Sequence, residues 1–286
     1  MPPSRALTGT AFATLLLIAL MMGANHVAAR VAFNNGVDVA TAVVFRSLST
    51  AMVIAVILLS QRVAWRLSAR HKRMLPVIGL LIGLQSLCLY SAVARLPVAL
   101  ALLAFNTYPI WTAFWAWAIY RQSPERPMLI AMPVILLGLA LALDVLGAAS
   151  GLGASGQWAR IGVGVAFACA AASTFALAMV LTQHEAGDLD GRVRTFTTMA
   201  IAGHIGLIST FFQGGFHLPN ATMGWVGLAA LTFLYGTAFT VMFTVLPRLG
   251  VVGNSAIMNV EPVFALVLAW LILGQTIAPV QVLGAL

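Results

Sequence analysis

Charged residues are what this sequence most obviously lacks. Only 8% of its 286 residues are Asp, Glu, Lys or Arg, whereas about a quarter of the residues of a soluble domain are charged. Hydrophobic residues make up 61% of the chain, and its mean hydropathy is +1.00. This composition excludes an ordinary soluble domain and indicates a polytopic membrane protein.

Cysteine is also scarce, and both cysteines, Cys88 and Cys169, lie inside apolar runs. They predict packing residues rather than a disulfide framework, a redox pair or a metal site. The sequence contains none of the patterns G-x-x-x-x-G-K-[ST], H-E-x-x-H or G-x-S-x-G, which are typical of ATP-driven proteins, zinc peptidases and serine hydrolases. We therefore expect no enzyme activity, no cofactor and no metal ion.

The net charge of +8 does not indicate a nucleic-acid partner, because the basic residues lie between apolar runs and form no stripe. Their positions instead predict membrane topology, since cytoplasmic loops carry the excess of Lys and Arg. A cytoplasmic N-terminus places eleven of the 15 Lys and Arg residues on the cytoplasmic side. The opposite loops 33–38, 213–224 and 274–279 contain none.

Apolar runs bounded by loop residues predict nine complete membrane spans. A tenth run, 278–286, is too short to cross a hydrocarbon core of about 30 Å. The expected fold is an all-α polytopic bundle of ten transmembrane helices, with the tenth incomplete in this chain. The nine complete spans are predicted at 9–32, 39–59, 75–94, 98–120, 127–146, 161–182, 194–213, 223–246 and 251–273.

An internal repeat relates the two halves of the chain. A shift of 153 residues aligns 95–122 with 248–275 and gives nine identities in 28 positions, against roughly two or three expected by chance in so apolar a composition. We expect two five-helix repeats, 1–147 and 152–286, within one integral membrane domain. An odd number of crossings inverts the second copy, an arrangement found in many secondary transporters.

Three features resemble the drug/metabolite transporter superfamily, in its EamA-type branch: the MGANH segment at 22–26, the NTYP and NVEP breaks at 106–109 and 259–262, and the short basic loop after the fourth span. The segment at 22–26 has Met22 and His26 where the family more usually has Trp and Phe. The resemblance implies ten helices, cytoplasmic termini and a central cavity used in alternating access. Within the family, the chain is similar to bacterial inner-membrane exporters of aromatic amino acids.

The run 251–274 contains Asn259, Glu261 and Pro262 near its middle. A carboxylate at the centre of a membrane helix costs about 2.5 to 3.5 kcal/mol, so it normally faces a bundle interior or a watery cavity. Proline removes a backbone donor and breaks the helix. Glu261 is predicted to bind an ammonium group or carry a proton, or else to bond to the backbone that Pro262 frees.

The equivalent break in the fourth span contains Asn106, Tyr108 and Pro109. Asn106 and Asn259 are predicted either to bind substrate or to repair the broken helices. Tyr108, Trp111 and Trp115 share one helix face, which we predict to line the cavity; the alternative is a lipid-facing belt.

Three more polar residues are cavity candidates: Asn25, His26 and Arg46. Arg46 could bind a substrate carboxylate, although the favoured interpretation is that it snorkels outward or pairs with Asp38 or Asp144. His26 and His204 could join a proton relay, but a hydrogen-bonded packing role is favoured.

The sequence thus predicts a monomeric secondary transporter that lies in membrane lipid and exports small metabolites, with aromatic and other neutral amino acids as the favoured class. The alternative is a multidrug exporter that exchanges lipophilic cations for protons at Glu261. A receptor or scaffold is a third class, against which the broken helices and the charge at the membrane centre argue.

Overall fold

The computed structural model describes residues 9–123, 126–144, 146, 151–244 and 260–275. Within these residues every regular element is a helix. The ten α-helices are α1 Gly9–Asn34, α2 Val39–Ser60, α3 Ala69–Arg95, α4 Val98–Phe105, α5 Tyr108–Tyr120, α6 Arg126–Ala142, α7 Gly153–Glu185, α8 Gly191–Phe212, α9 Thr222–Thr244 and α10 Glu261–Leu273.

Seven helical segments of the described chain are long and apolar enough to cross a membrane, with α4 and α5 together forming one of them. Two shorter apolar helices lie at Met132–Ala142 and Glu261–Leu273. The expectation of an all-helical membrane protein is confirmed. The ten-span inverted repeat stays a prediction, because 245–259 and 276–286 lie outside the described residues.

Two helices begin earlier than the hydropathy pattern predicts, α3 at Ala69 instead of residue 75 and α7 at Gly153 instead of residue 161. The early start of α3 has a local cause. Ser68 Oγ accepts a hydrogen bond from the His71 backbone N–H at 3.2 Å, and His71 Nδ1 accepts one from the Ser68 N–H at 3.3 Å. This reciprocal capping satisfies two backbone donors that the first turn would otherwise leave unpaired.

The helices pack across the two predicted repeats. Helix α3 packs mainly against α7 and α8, α1 against α9 and α10, and α2 against α8 and α9. Small residues make these contacts close: a Cβ atom at Gly79 would lie 2.7 Å from Ile201, and one at Gly83 would lie 2.5 Å from Ile205. Glycine at such positions lets membrane helices approach, because no hydrophobic force drives helices together inside lipid.

One end of the bundle, here called the basic end, is held by ion pairs around the loop between α7 and α8. Arg70 and His71 at the start of α3 contact Asp188 at 3.1 and 3.0 Å. Asp190 caps α8 and binds the Arg192 guanidinium at 2.6 Å. Hydrogen bonding from His71 holds the pKa of Asp188 below its usual range, and hydrogen bonding from Arg192 does the same for the pKa of Asp190. Both carboxylates are therefore ionised at neutral pH.

The other end, here called the neutral end, is joined by hydrogen bonds to helix termini. Arg30 of α1 donates to the Val93 carbonyl oxygen at 2.6 Å, where the last turn of α3 carries the negative end of its dipole. The Val98 N–H at the start of α4 donates to Gln275 Oε1 at 3.0 Å. This second bond ties the end of α10 to the fourth span.

Helices α5 and α10 are equivalent at the offset of 153 residues. Each has 13 residues, with proline second. Each ends in a left-handed residue, Arg121 with φ of 55° and Gly274 with φ of 63°. The cap N–H of each bonds to equivalent carbonyls, at Ala116 and Trp117 in one and Ala269 and Trp270 in the other.

Arg121→Gly is expected to stabilise the protein, because a left-handed residue with a side chain costs about 1 kcal/mol that glycine avoids. Thermal unfolding in detergent should show a higher midpoint for this variant. The matched control is Gly274→Ala, which places a side chain in the same conformation at the equivalent cap and should lower the midpoint. A lower midpoint for Arg121→Gly would show that the Arg121 side chain itself stabilises the helix end.

Candidate functional site

The fourth span is interrupted where the sequence has Asn106 and Pro109. Helix α4 ends at Phe105 and α5 begins at Tyr108. Pro109 is the second residue of α5, a position where its missing N–H costs no hydrogen bond. The Thr107 hydroxyl donates to the Ala104 carbonyl oxygen at 2.8 Å, which gives this carbonyl at the break a partner. The sequence did not single out Thr107 for this role. Asn106, which it did, lies half-buried beside Thr107.

The second break precedes α10. Glu261 is the first residue of this helix and Pro262 the second, so the carboxylate lies at the positive end of a helix dipole. The Glu261 side chain is 21% exposed. Asn259 lies outside the described residues.

The 22–26 segment of α1 packs directly against the start of α10. His26 Nε2 lies 3.3 Å from Glu261 Oε1, and the His26 side chain is only 3% exposed. One turn earlier, a Cβ atom at Gly23 would lie 3.0 Å from both the Glu261 carbonyl oxygen and the Ala265 nitrogen. Glycine at position 23 therefore permits the helix approach that brings His26 to Glu261.

Tyr90 of α3 connects this pair to its neighbours. The Tyr90 hydroxyl donates to Asn25 Oδ1 at 3.0 Å, and its ring meets the His26 ring edge to face with centroids 5.9 Å apart. Both Tyr90 and Asn25 are fully buried. Adjacent residues of α1 thus contact two different helices, Asn25 through Tyr90 and His26 through Glu261.

Arg46 of α2 lies inside the bundle, with 2% exposure. Its Nη2 donates to Ser86 Oγ at 2.5 Å, and its guanidinium carbon lies 4.4 Å from the Tyr90 ring centroid and 4.0 Å from that of Tyr235. The expectation that Arg46 snorkels outward is wrong, because two tyrosine rings hold the cation by cation–π attraction in the interior. No ion pair of the described residues involves Arg46.

We call this group of six residues the central polar cluster: Asn25, His26, Arg46, Ser86, Tyr90 and Glu261. Several of its buried polar atoms have no hydrogen-bond partner within the described chain, namely Asn25 Nδ2, His26 Nδ1 and Arg46 Nε. The neighbouring Ser47 Oγ is also unpaired. Burying such groups without partners costs free energy, so the cluster retains hydrogen-bonding capacity that a polar ligand could use.

The three aromatic residues predicted to share one face of α5 are all half-buried in the structure. Tyr108 meets Phe105 and Phe175, with ring centroids 5.8 and 5.4 Å apart. Trp111 meets Phe114, which is 46% exposed. Trp115, like Tyr108, contacts α7, where its indole N–H donates to Ser173 Oγ at 3.2 Å.

The profile of the EamA-like transporter family matches residues 9–143 and 162–286. The chain belongs to this family. It is thus a multi-pass membrane protein and a transporter, not an enzyme. Its predicted placement in the drug/metabolite transporter superfamily is confirmed.

Two curated relatives are the threonine/homoserine exporters RhtA of Salmonella typhimurium strains SL1344 and LT2. Each is 25% identical to this chain over 236 residues, covering 77% of this chain and 70% of the relative. A solved crystal structure also matches, with a TM-score of 0.62 and 16% identity over 96% of this chain and 94% of that one. At that identity the match shows the fold alone.

Three residues that contact the candidate site were not predicted from the sequence. Tyr90, Ser86 and Tyr235 were not singled out, although a tyrosine or serine within a membrane span needs a polar partner and so signals an interior position. His204, a candidate for the proton relay, is exposed, and its Nδ1 lies 2.7 Å from the Ala200 carbonyl oxygen of its own helix.

Proposed function

We propose that this chain is a secondary transporter that exports neutral amino acids across a bacterial inner membrane by alternating access. The observation that carries the proposal is the buried Arg46 guanidinium, for which the described residues provide no acid. An unpaired cation in a membrane interior is costly and marks a substrate pathway. A substrate carboxylate would supply the missing anion and hydrogen-bond to the free Nε.

The His26 and Glu261 pair would receive the other end of a zwitterion. Glu261 is partly exposed and is the first residue of α10, directly after the break that precedes this helix. An amino group that contacts the carboxylate would take the place of the imidazole at 3.3 Å. Arg46 and His26 both pack against Tyr90, so the two charged ends of one small substrate could be bound on either side of that ring.

Alternating access would rock the repeat 1–147 against the repeat 152–286. The central polar cluster is suited to this motion because its residues Tyr90 and Arg46 come from the first repeat, whereas its Glu261 and the adjoining Tyr235 come from the second. Movement between the repeats would therefore change the contacts of both charges. In this proposal the protein works as a monomer, with its N-terminus and basic end in the cytoplasm.

The substrate side chain would lie against apolar and aromatic walls. Phe105, Tyr108 and Phe175 form such a wall at the break between α4 and α5, which favours aromatic amino acids. The relatives are named threonine/homoserine exporters, which favours small hydroxylated ones. We therefore propose neutral amino acids as the class.

A counterflow assay in proteoliposomes tests this function. Labelled threonine, homoserine, phenylalanine and tryptophan are each offered to vesicles preloaded with the same unlabelled compound. Labelled tetraphenylphosphonium, a lipophilic cation, is tested in the same way as the competing substrate. Saturable exchange of at least one amino acid, without exchange of the cation, is expected. Exchange of the cation alone would replace the proposal with the multidrug exporter.

Glu261→Gln is expected to raise the KM for the amino acid by about tenfold, since a lost charge-assisted hydrogen bond costs about 1.5 kcal/mol. The same assay with an imposed pH gradient shows whether the carboxylate also carries protons. Gradient-driven accumulation in the native chain and none in the variant would assign a proton to Glu261. An unchanged KM would contradict its proposed contact with the ammonium group.

A further inference from the structure

An apolar groove of about 630 Å³ runs along the outside of the bundle between α2 and α9. This volume falls within the range of small-molecule pockets. None of its lining residues carries a charge, and they include Phe45, Val53, Trp225, Phe233, Gly236 and Thr240. Val53 and Phe233 are 46% and 68% exposed. Since α2 and α9 are both long and apolar enough to span a membrane and these side chains are exposed, we expect the groove to face the hydrocarbon core.

Three of the four threonines that line the groove have their hydroxyls satisfied within their own helices. Thr50, Thr232 and Thr240 each donate to the carbonyl four residues earlier in their own helix, at 2.7, 2.8 and 2.7 Å. Hydrogen bonds of this kind satisfy a hydroxyl within the helix. With most of its hydroxyls satisfied and no charge among its lining residues, the groove favours an apolar occupant over a polar metabolite.

The dimensions of the groove favour a long, thin occupant. From Trp225 to Thr240 it follows 15 residues of α9, or about 22 Å at 1.5 Å per residue, which exceeds one leaflet of a hydrocarbon core about 30 Å thick. Trp225, at the neutral end, is 48% exposed. Tryptophan at that depth is typical of the level of the lipid headgroups and ester groups.

We propose that this groove binds one acyl chain of a membrane phospholipid, with the ester end of the lipid beside Trp225. The groove adjoins the turn of α2 that carries Arg46. At the base of the groove Gly236 faces Thr50, since a Cβ atom at Gly236 would lie 3.4 Å from Thr50 Oγ1. The Thr50 hydroxyl in turn donates to the Arg46 carbonyl oxygen. A bound chain thus supports α2 and α9 at the level of the central polar cluster, whatever substrate is carried.

Native mass spectrometry of the purified protein with added palmitoyl-oleoyl phosphatidylethanolamine tests the site. The native chain is expected to retain one tightly bound lipid, and Gly236→Leu, which places a side chain in the groove, should reduce its occupancy at least tenfold. The control is Gly162→Leu, at a half-buried helix glycine of α7 whose Cβ would meet only Trp158 at 3.5 Å. Equal occupancy in the native chain and Gly236→Leu would overturn the proposal.

A fluorescence measurement keeps the proposal falsifiable if Gly236→Leu does not fold. In detergent micelles that contain only a few brominated phospholipids per protein, a bound chain should quench Trp225. Quenching should fall in Trp225→Phe and persist in Trp158→Phe, because these two tryptophans are similarly exposed, at 48% and 42%, but only Trp225 lines the groove. Equal quenching in the two variants would contradict a specific site.

Discussion

Replacement of Arg46 by methionine is expected to raise the KM for the transported amino acid by about 100-fold, without loss of thermal stability. A charge-assisted contact to a carboxylate is worth about 3 kcal/mol, which corresponds to that factor. Stability should hold or increase, because Arg46 is buried with no acid partner among the described residues and methionine fills a similar volume without a desolvated charge. Counterflow kinetics and thermal unfolding in detergent measure the two effects.

The matched control is Arg30→Met. Arg30 donates to the carbonyl oxygens of Val93 and Leu96 at the end of α3, and these contacts hold two helices together without joining the central polar cluster. This variant should lose stability and keep its substrate affinity. If Arg46→Met instead unfolds readily and the remaining folded protein transports normally, Arg46 serves the fold and not the substrate.

Gly23→Ala is expected to abolish transport and to destabilise the protein by about 1 to 3 kcal/mol, the usual cost of overpacking a close contact. The added Cβ would lie 3.0 Å from the Glu261 carbonyl oxygen and the Ala265 nitrogen, and backbone atoms within a helix cannot yield as a flexible side chain can. Helix α10 must move away from α1, which separates His26 from Glu261. Counterflow and thermal unfolding should both change.

Gly162→Ala is the control for Gly23→Ala. Its Cβ would make only an ordinary contact with Trp158 at 3.5 Å, so alanine should retain transport and stabilise the helix by about 1 kcal/mol through its better propensity. A fully active Gly23→Ala variant would show that the approach of α1 to α10 is not needed for transport.

Part of the site could be predicted because it breaks the rules of a membrane helix. Glu261 and Pro262 stand out in an apolar run, since a charge and a missing donor are costly in lipid. The equivalence of α5 and α10 could likewise be expected from the offset of 153 residues. These signals are local in the chain or repeat at a fixed spacing.

The contacts among the candidates could not be predicted. The helices are apolar all round, so the pattern along a helix does not show which face is interior. Arg46 was expected to snorkel because its sequence neighbours do not reveal Tyr90 and Tyr235, which come from two other helices. Spacing placed Tyr108 and Trp115 on one face of α5, and both contact α7, but spacing could not identify Phe175 and Ser173 as their partners.

The most direct measurement of the central claim, that the buried charges bind a zwitterion, is competition by blocked substrates in counterflow. The transported amino acid is compared with its α-amide, which lacks the carboxylate, and its N-acetyl derivative, which lacks the ammonium group. The account predicts that each blocked compound competes at least tenfold more weakly in the native chain, and that the α-amide loses this disadvantage in Arg46→Met. Equal competition by the amino acid and its α-amide in the native chain would contradict the proposed role of Arg46.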